Sequence, residues 1–293
     1  PTDDERLGSE TIQAKLKAKV EDAKKLNNYL NLENISAEVE RVTITRDTVR
    51  VSGTICSEQK GPFYLVEYEP HEDPWTMKGG TVLGEVELSH TFDAELPRFL
   101  GKRDRIANRF AVVASVGDKV QLVSRANWAD NVSDAAERDM PRLYPANKKG
   151  LGGVEYKAGI FQKDIPALGI TAATINFPLG NILTSGKNPI EFEHHGKTYS
   201  YNRAVIGEYD KKLKFLAERD IVASAILLVD KNAGILLHPD YNTAGIYSMG
   251  NMTTQESTDA YRAIVAFLAE RYSRPDKEYG WISHWIVFNE VDY

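Results

Sequence analysis

Near the amino end, apolar residues recur at three- and four-residue spacing. Ile12, Leu16, Val20, Ala23, Leu26 and Leu30 form one stripe with Lys and Glu between them. The stripe predicts an amphipathic helix within residues 1–34, its apolar face laid on a neighbouring domain or on upstream chain. From Ile35 to about Ala129 the spacing changes to two. Val39, Val42 and Ile44 lead to a turn at Asp47, and Val49, Val51 and Ile55 follow. Phe63, Leu65 and Tyr68 come before Pro70 and Pro74, and Val82, Val86 and Leu88 make another run. Phe110–Val116 and Val120–Ser124 flank Gly117-Asp118, a hairpin pair. Six or seven short strands without a helical period predict an antiparallel β-sandwich over residues 35–130. Either it holds sugar through Trp75 or Trp128, or it is a passive spacer. Residues 131–148 are polar, contain Pro141 and Pro145, and show no period, as a linker would.

From Lys149 strands and helices alternate. A short Gly-rich strand (Lys149–Val154) precedes a helix (Ala158–Leu168) and a second strand (Thr171–Phe177). A helix over Arg203–Arg219 leads to a continuous apolar strand, Ile221–Val229. A helix over Thr254–Tyr272, capped by Thr253 or Thr254, leads to a fourth strand that Gly280 opens, Trp281–Asn289. Alternation of this kind implies parallel pairing. An eight-unit (β/α) barrel usually takes about 250 residues, whereas residues 149–293 carry three βα units and a fourth strand. The expectation is therefore the first half of a barrel, completed by residues not in this sequence. A smaller open sheet is the other arrangement that fits.

Composition narrows the partners. A formal charge of −6 argues against nucleic acid, which needs a basic patch. No run approaches the roughly 18 apolar residues of a membrane span. The single Cys56 excludes an internal disulfide and a Cys-based zinc site, and is expected to be a small buried hydrophobe. The chain opens at Pro1 with no Met and no signal peptide, which leaves export undecided. GLGGVEY, from Gly150, has Glu155 where a dinucleotide loop needs its third glycine. There is no nucleophile elbow, phosphate loop or calcium loop.

The chemistry concentrates at the end of the fourth strand. Asn289-Glu290 follows an apolar run, where polarity is costly: Glu is rarely buried unpaired, and burial disfavours its charge. Carboxyl ends of barrel strands are where active sites sit. With this dipeptide closing a counted series, and with YRAIVAFLAERY followed by a Gly-Trp strand opening and WIVFNEVDY, the span Lys149–Tyr293 resembles the first barrel half of clan A retaining glycoside hydrolases. The resemblance implies hydrolysis of a poly- or oligosaccharide with retention. Glu290 would be the general acid/base, and Asn289 would bind the hydroxyl beside the reacting carbon. The nucleophile would close a seventh strand absent from this sequence. Such enzymes need one acid and one carboxylate about 5–5.5 Å apart. No cofactor and no metal are called for, and the protein is expected to be secreted or periplasmic, of bacterial type. A non-catalytic glycan-binding protein with a degenerate barrel is the alternative.

Other polar residues fall at strand ends. Asn176 closes the second strand, Asp230 closes the third, and His238 follows in the next loop, where some clan members place a substrate-contacting His. Each also reads as a turn or cap residue. Asn181, Tyr241 and Asn242 belong to the same class. His194-His195 reads as a structural or solvent-facing pair rather than a metal site. Phe192, Tyr199, Tyr201 and Tyr247 either form sugar-stacking walls or pack on one another.

Overall fold

A computed structural model of the chain describes all residues except 1–2, 32–34, 57–61, 87–89, 117–118, 137–142, 155–158, 184–185, 243 and 290–293. The chain is a mixed α/β protein with several sheets, and it divides into two compact units, Pro1–Glu137 and Arg138–Tyr293.

In the first unit, helix α1 spans Asp3–Leu30. Its expected apolar face is not covered: Ile12, Leu16 and Val20 are all more than half exposed. Its last turns are anchored. The Tyr29 hydroxyl accepts the Ala126 N–H at 2.9 Å, and the Tyr29 ring lies 5.9 Å from that of Trp75.

Among the described residues ten strands follow: β1 (Ala37–Thr45), β2 (Thr48–Ile55), β3 (Phe63–Tyr68), β4 (Thr81–Val86), β5 (Thr91–Pro97), β6 (Phe99–Leu100), β7 (Arg103–Asp104), β8 (Arg109–Val116), β9 (Lys119–Leu122) and β10 (Asn131–Asp134). They make two four-stranded sheets, β10-β1-β2-β5 and β4-β3-β8-β9, with β6-β7 a separate ribbon. Val39, Val42, Ile44, Val49 and Val51 of the first sheet share one core with Phe63, Leu65, Phe110 and Val112 of the second. The three-residue step from Val39 to Val42 is a register shift in the β1–β2 ladder; one extra residue keeps both side chains inward.

Two readings change here. Asn131–Asp134, expected to begin a linker, pairs in parallel with β1 at the sheet edge. It is polar because only its backbone is needed there. Cys56 is exposed, not buried: it lies just past the end of β2, where its N–H donates to the Ser36 carbonyl at 2.7 Å.

The second unit contains β11 (Gly150–Leu151), α2 (Ile160–Leu168), β12 (Ala172–Pro178), α3 (Leu179–Leu183), β13 (Ile190–His194), β14 (Lys197–Tyr201), α4 (Arg203–Ala217), β15 (Val222–Asp230), β16 (Tyr247–Ser248), α5 (Gln255–Tyr272) and β17 (His284–Ile286). Strands β11, β12, β15 and β17 are parallel and adjacent in chain order. The short β16 pairs antiparallel with the end of β15. Asn202 caps α4, accepting from the Ala204 and Val205 N–H groups, and Thr254 caps α5 as the sequence predicts.

Side-chain parity sets the layers. Ala173, Ile175 and Phe177 of β12, and Ala223, Ala225, Leu227 and Val229 of β15, enter one core. Phe161 and Ile165 of α2, Ile206 and Leu213 of α4, and Ile264 and Leu268 of α5 join them there. All three long helices thus cover the same face. Thr174, Asn176, Ser224, Ile226, His284 and Ile286 alternate onto the other face, and none of them is buried.

The fourth strand is shorter than expected. Trp281 and Ile282 are buried but lie before β17, while Val287 and Phe288 bend away after it. Gly280 sets the approach. Its φ is +96°, and a Cβ there would lie 2.3 Å from the Leu213 carbonyl carbon, so α4 and this turn meet backbone to backbone. Two elements, α3 and the β13–β14 hairpin, are inserted between β12 and α4.

Candidate functional site

The carboxyl ends of the parallel strands form the rim that carries the sequence-nominated residues. β12 delivers Asn176 to the helix-free face, where it is exposed. Its backbone is held from the core side. The Tyr209 hydroxyl donates to the Asn176 carbonyl at 3.1 Å, and the Tyr209 and Phe177 rings stack at 4.0 Å.

Asp230 ends β15 and is 7% exposed. One carboxylate oxygen accepts the Gly180 N–H at 2.7 Å and the other the Asn232 N–H at 2.9 Å. Its carbonyl accepts the Ala233 N–H. The carboxylate therefore ties the first turn of α3 to the turn after β15. The contact requires glycine: a Cβ on Gly180 would lie 2.5 Å from Asp230 Oδ1 and 2.7 Å from the Asn232 carbonyl carbon.

His238 is partly buried in the long loop after β15. Its Nδ1 accepts the Asp240 N–H at 3.1 Å, and its carbonyl accepts the Tyr241 N–H. Asn251 holds the far end of this loop, donating from Nδ2 to the Ile235 carbonyl and accepting from Thr253. Beside it Ile246, Tyr247 and Met249 are exposed, while Asn181 is an exposed residue of α3 and Asn242 an exposed turn residue.

After β17 the chain is steered by α5. The Tyr261 hydroxyl donates to the Val287 carbonyl at 3.0 Å, and its ring stacks on Phe288 at 5.5 Å. Burial pushes the Tyr261 hydroxyl up to about 12, so it stays a donor at neutral pH. Asn289 follows, exposed at the same rim. Glu290 lies outside the described residues. By register Asn176 is level with Ile226 on the adjacent β15 and, one strand further on, with Ile286 of β17. Asn176, Asp230 and Asn289 thus share one rim, but the Asp230 carboxylate is already engaged by backbone.

Sequence reading missed Tyr261 and Gly180. The apolar stripe of α5 places Tyr261 inward, but no periodicity shows where a buried hydroxyl will find its acceptor. The aromatic residues between β12 and α4 pack rather than line the rim. Tyr201 is 1% exposed, and its ring and that of Phe192 contact Phe267 of α5. The His194 and His195 rings touch, 4.0 Å between centroids. Among the described residues no three His, Cys, Asp or Glu side chains gather as a metal set, and no helix is long and apolar enough to cross a membrane.

Residues 142–293, more than half of the chain, match a family described as a family of unknown function, DUF5722. No curated protein matches the sequence. Among solved structures, the inhibitor complex of the catalytic module of the glycogen-degrading pneumococcal virulence factor SpuA shows weak similarity. It is 11% identical with a TM-score of 0.24, covering 82% of this chain and 46% of that one. The Group B Streptococcus pullulanase SAP is 10% identical with a TM-score of 0.23, covering 80% and 40%. The chain spans less than half the length of these structures, and scores this low do not establish a shared fold.

Proposed function

The chain belongs to the DUF5722 family of unknown function, and from that premise we propose that it is a glycoside hydrolase acting with retention on a poly- or oligosaccharide. In this reading residues 149–293 form the first half of a (β/α)8 barrel and residues 35–130 a β-sandwich. Glu290 is the general acid/base. Asn289 is the substrate-positioning donor, and Asn176 and His238 are further substrate contacts. Asp230 serves the substrate indirectly, by setting the turns on which the rim is built. The protein acts as a secreted or periplasmic enzyme.

The observation that carries the reading is the wall itself. Among the described residues four parallel strands are adjacent in chain order, and the three long helices pack in one core on one face of them. A doubly wound sheet places helices on both faces; a barrel wall places them on one and turns the other inward. Asn289-Glu290 follows the fourth strand of that wall, at the end where barrel enzymes work.

The chemistry needs Glu290 protonated to donate to the leaving oxygen, then ionised to take a proton from water. A second carboxylate about 5–5.5 Å away attacks the anomeric carbon; it is not assigned to any residue of this chain. The test is hydrolysis of a glycan panel, glycogen and pullulan included, by the full-length protein beside Glu290→Gln. The expected result is cleavage by the wild type and a loss of about 10²–10⁴-fold in the variant. Equal rates would remove Glu290 from the mechanism. Glycan binding with no cleavage by either protein would make this a binding protein instead.

A further inference from the structure

We propose that the opposite, amino-terminal rim of the same parallel sheet carries a second carbohydrate site: a pocket that takes one pyranose ring between Tyr144 and Trp281. The pocket has a volume of about 210 Å³, and its lining includes Leu143, Tyr144, Asp220, Ile221, Lys277 and Trp281. Asp220 and Ile221 immediately precede β15, and Trp281 precedes β17. Asp230 and Asn289 stand at the other ends of those strands. The two sites are therefore separated by the length of the sheet.

Three features specify the ligand. Trp281 is 8% exposed, yet among the described residues its indole N–H has no hydrogen-bond partner. Buried donors are almost always paired, and this one, enclosed in the side chain that forms one pocket wall, is left without an acceptor. Tyr144 is 74% exposed beside it, an aromatic face free to lie against the C–H face of a sugar. Asp220 and Lys277 supply one acceptor and one donor of opposite charge. Among the described residues neither side chain is in an ion pair, and the Lys277 ammonium sits 5.9 Å from the Trp281 ring centre.

A simple anion would meet Asp220 and a simple cation would meet Lys277, each with repulsion. A neutral polyol, whose hydroxyls both donate and accept, suits both side chains at once. An apolar floor of Leu143 and Ile221 with a few convergent polar groups is the ordinary make-up of a small-molecule site. The choice of a glycan ring over another neutral polyol rests on the glycosidase reading, whereas the pocket itself does not depend on Glu290.

The test follows the indole N–H signals of the full chain by 1H–15N NMR during titration with the methyl glycosides of glucose, galactose and mannose. The Trp281 signal is identified by its loss in Trp281→Phe. The expected result is a saturable, millimolar shift of that signal. Tyr144→Ala and Lys277→Gly should each weaken it at least tenfold, with melting temperatures unchanged, and Glu290→Gln should leave it intact. No saturable shift with any glycoside, or a shift undiminished in both pocket variants, would overturn the proposal. Hydrolysis lost in Glu290→Gln while the pocket stays silent would overturn this site alone. Binding here with no hydrolysis anywhere would overturn the active-site reading alone.

Discussion

Removing the Asp230 carboxylate should loosen the rim before it affects any sugar. In Asp230→Ala two backbone N–H groups lose their acceptor. That of Asn232, an exposed residue, recovers water. That of Gly180 does not, because Gly180 is buried against the backbone of Asn232 and Ala233. A hydrogen bond to a charged acceptor contributes about 1.5–3 kcal/mol, and the buried one at Gly180 belongs in the upper part of that range. With a smaller loss at Asn232 the total is about 3 kcal/mol. For a unit of this size each kcal/mol moves the melting temperature by about 2–4 °C, so calorimetry at pH 7 should record a fall of about 6–12 °C. Asp230→Asn should fall comparably, since its amide would aim a donor at one of the two N–H groups. Gly180→Ala disturbs the same contact from the other side, and the double variant should be clearly non-additive. A melting temperature within about 1 °C of wild type, together with a raised KM on a cleaved glycan, would refute this. It would mean that Asp230 faces substrate and that the two amides find other partners.

Two further outcomes follow from charges elsewhere in the fold. Glu67 and Arg105 form a buried pair, 5% and 7% exposed, with Asn108 Nδ2 donating to the same carboxylate at 2.7 Å. Glu67→Ala strands the guanidinium and should cost about 3–5 kcal/mol, read as a lower midpoint in urea; an unchanged midpoint would show that the pair is solvated in solution. His194 is held down to about 4 from its ordinary 6.5, first by burial and then by His195. Between those values the unfolded chain binds a proton that the folded chain does not, so stability falls as the pH drops from 6.5 to 4. His194→Phe should flatten that part of the melting-temperature profile; parallel wild-type and variant profiles would clear His194 of the effect.

The periodicities carried most of the framework, and where they misled, the reason is physical. Val39, Val42 and Ile44 announced a strand in spite of the bulge, because the extra residue restores inward facing. The stripe of α1 announced a helix, but an apolar stripe does not name what covers it, and Ile12, Leu16 and Val20 stand exposed. Asn131–Asp134 was illegible because an edge strand can be recruited by backbone pairing alone. The fourth strand was overlong in the sequence because an apolar run marks burial, not pairing. Trp281 and Ile282 are buried outside the ladder, and Phe288 leaves it to stack on Tyr261.

The candidate site divides along the same line. Strand ends can be counted along the chain, and that count puts Asn176, Asp230 and Asn289 on one rim. What a polar side chain does there depends on hydrogen-bond partners distant in sequence: Gly180 is fifty residues from Asp230, and Tyr261 is twenty-six from Val287. Asp230 looked like Asn176 in the sequence, yet its oxygens hold a turn together while Asn176 presents its side chain to the helix-free face. That contrast orders the rim by exposure. A group meant for substrate must keep its hydrogen-bonding capacity unspent, and building the rim has already consumed that of Asp230. Among the described residues Asn176 and Asn289 keep theirs, on the strands flanking β15 or just past their ends. On the proposed glycosidase reading, a glycan would therefore take its first polar contacts from these two amides, with Ile226 and Ile286 forming the apolar ground between them.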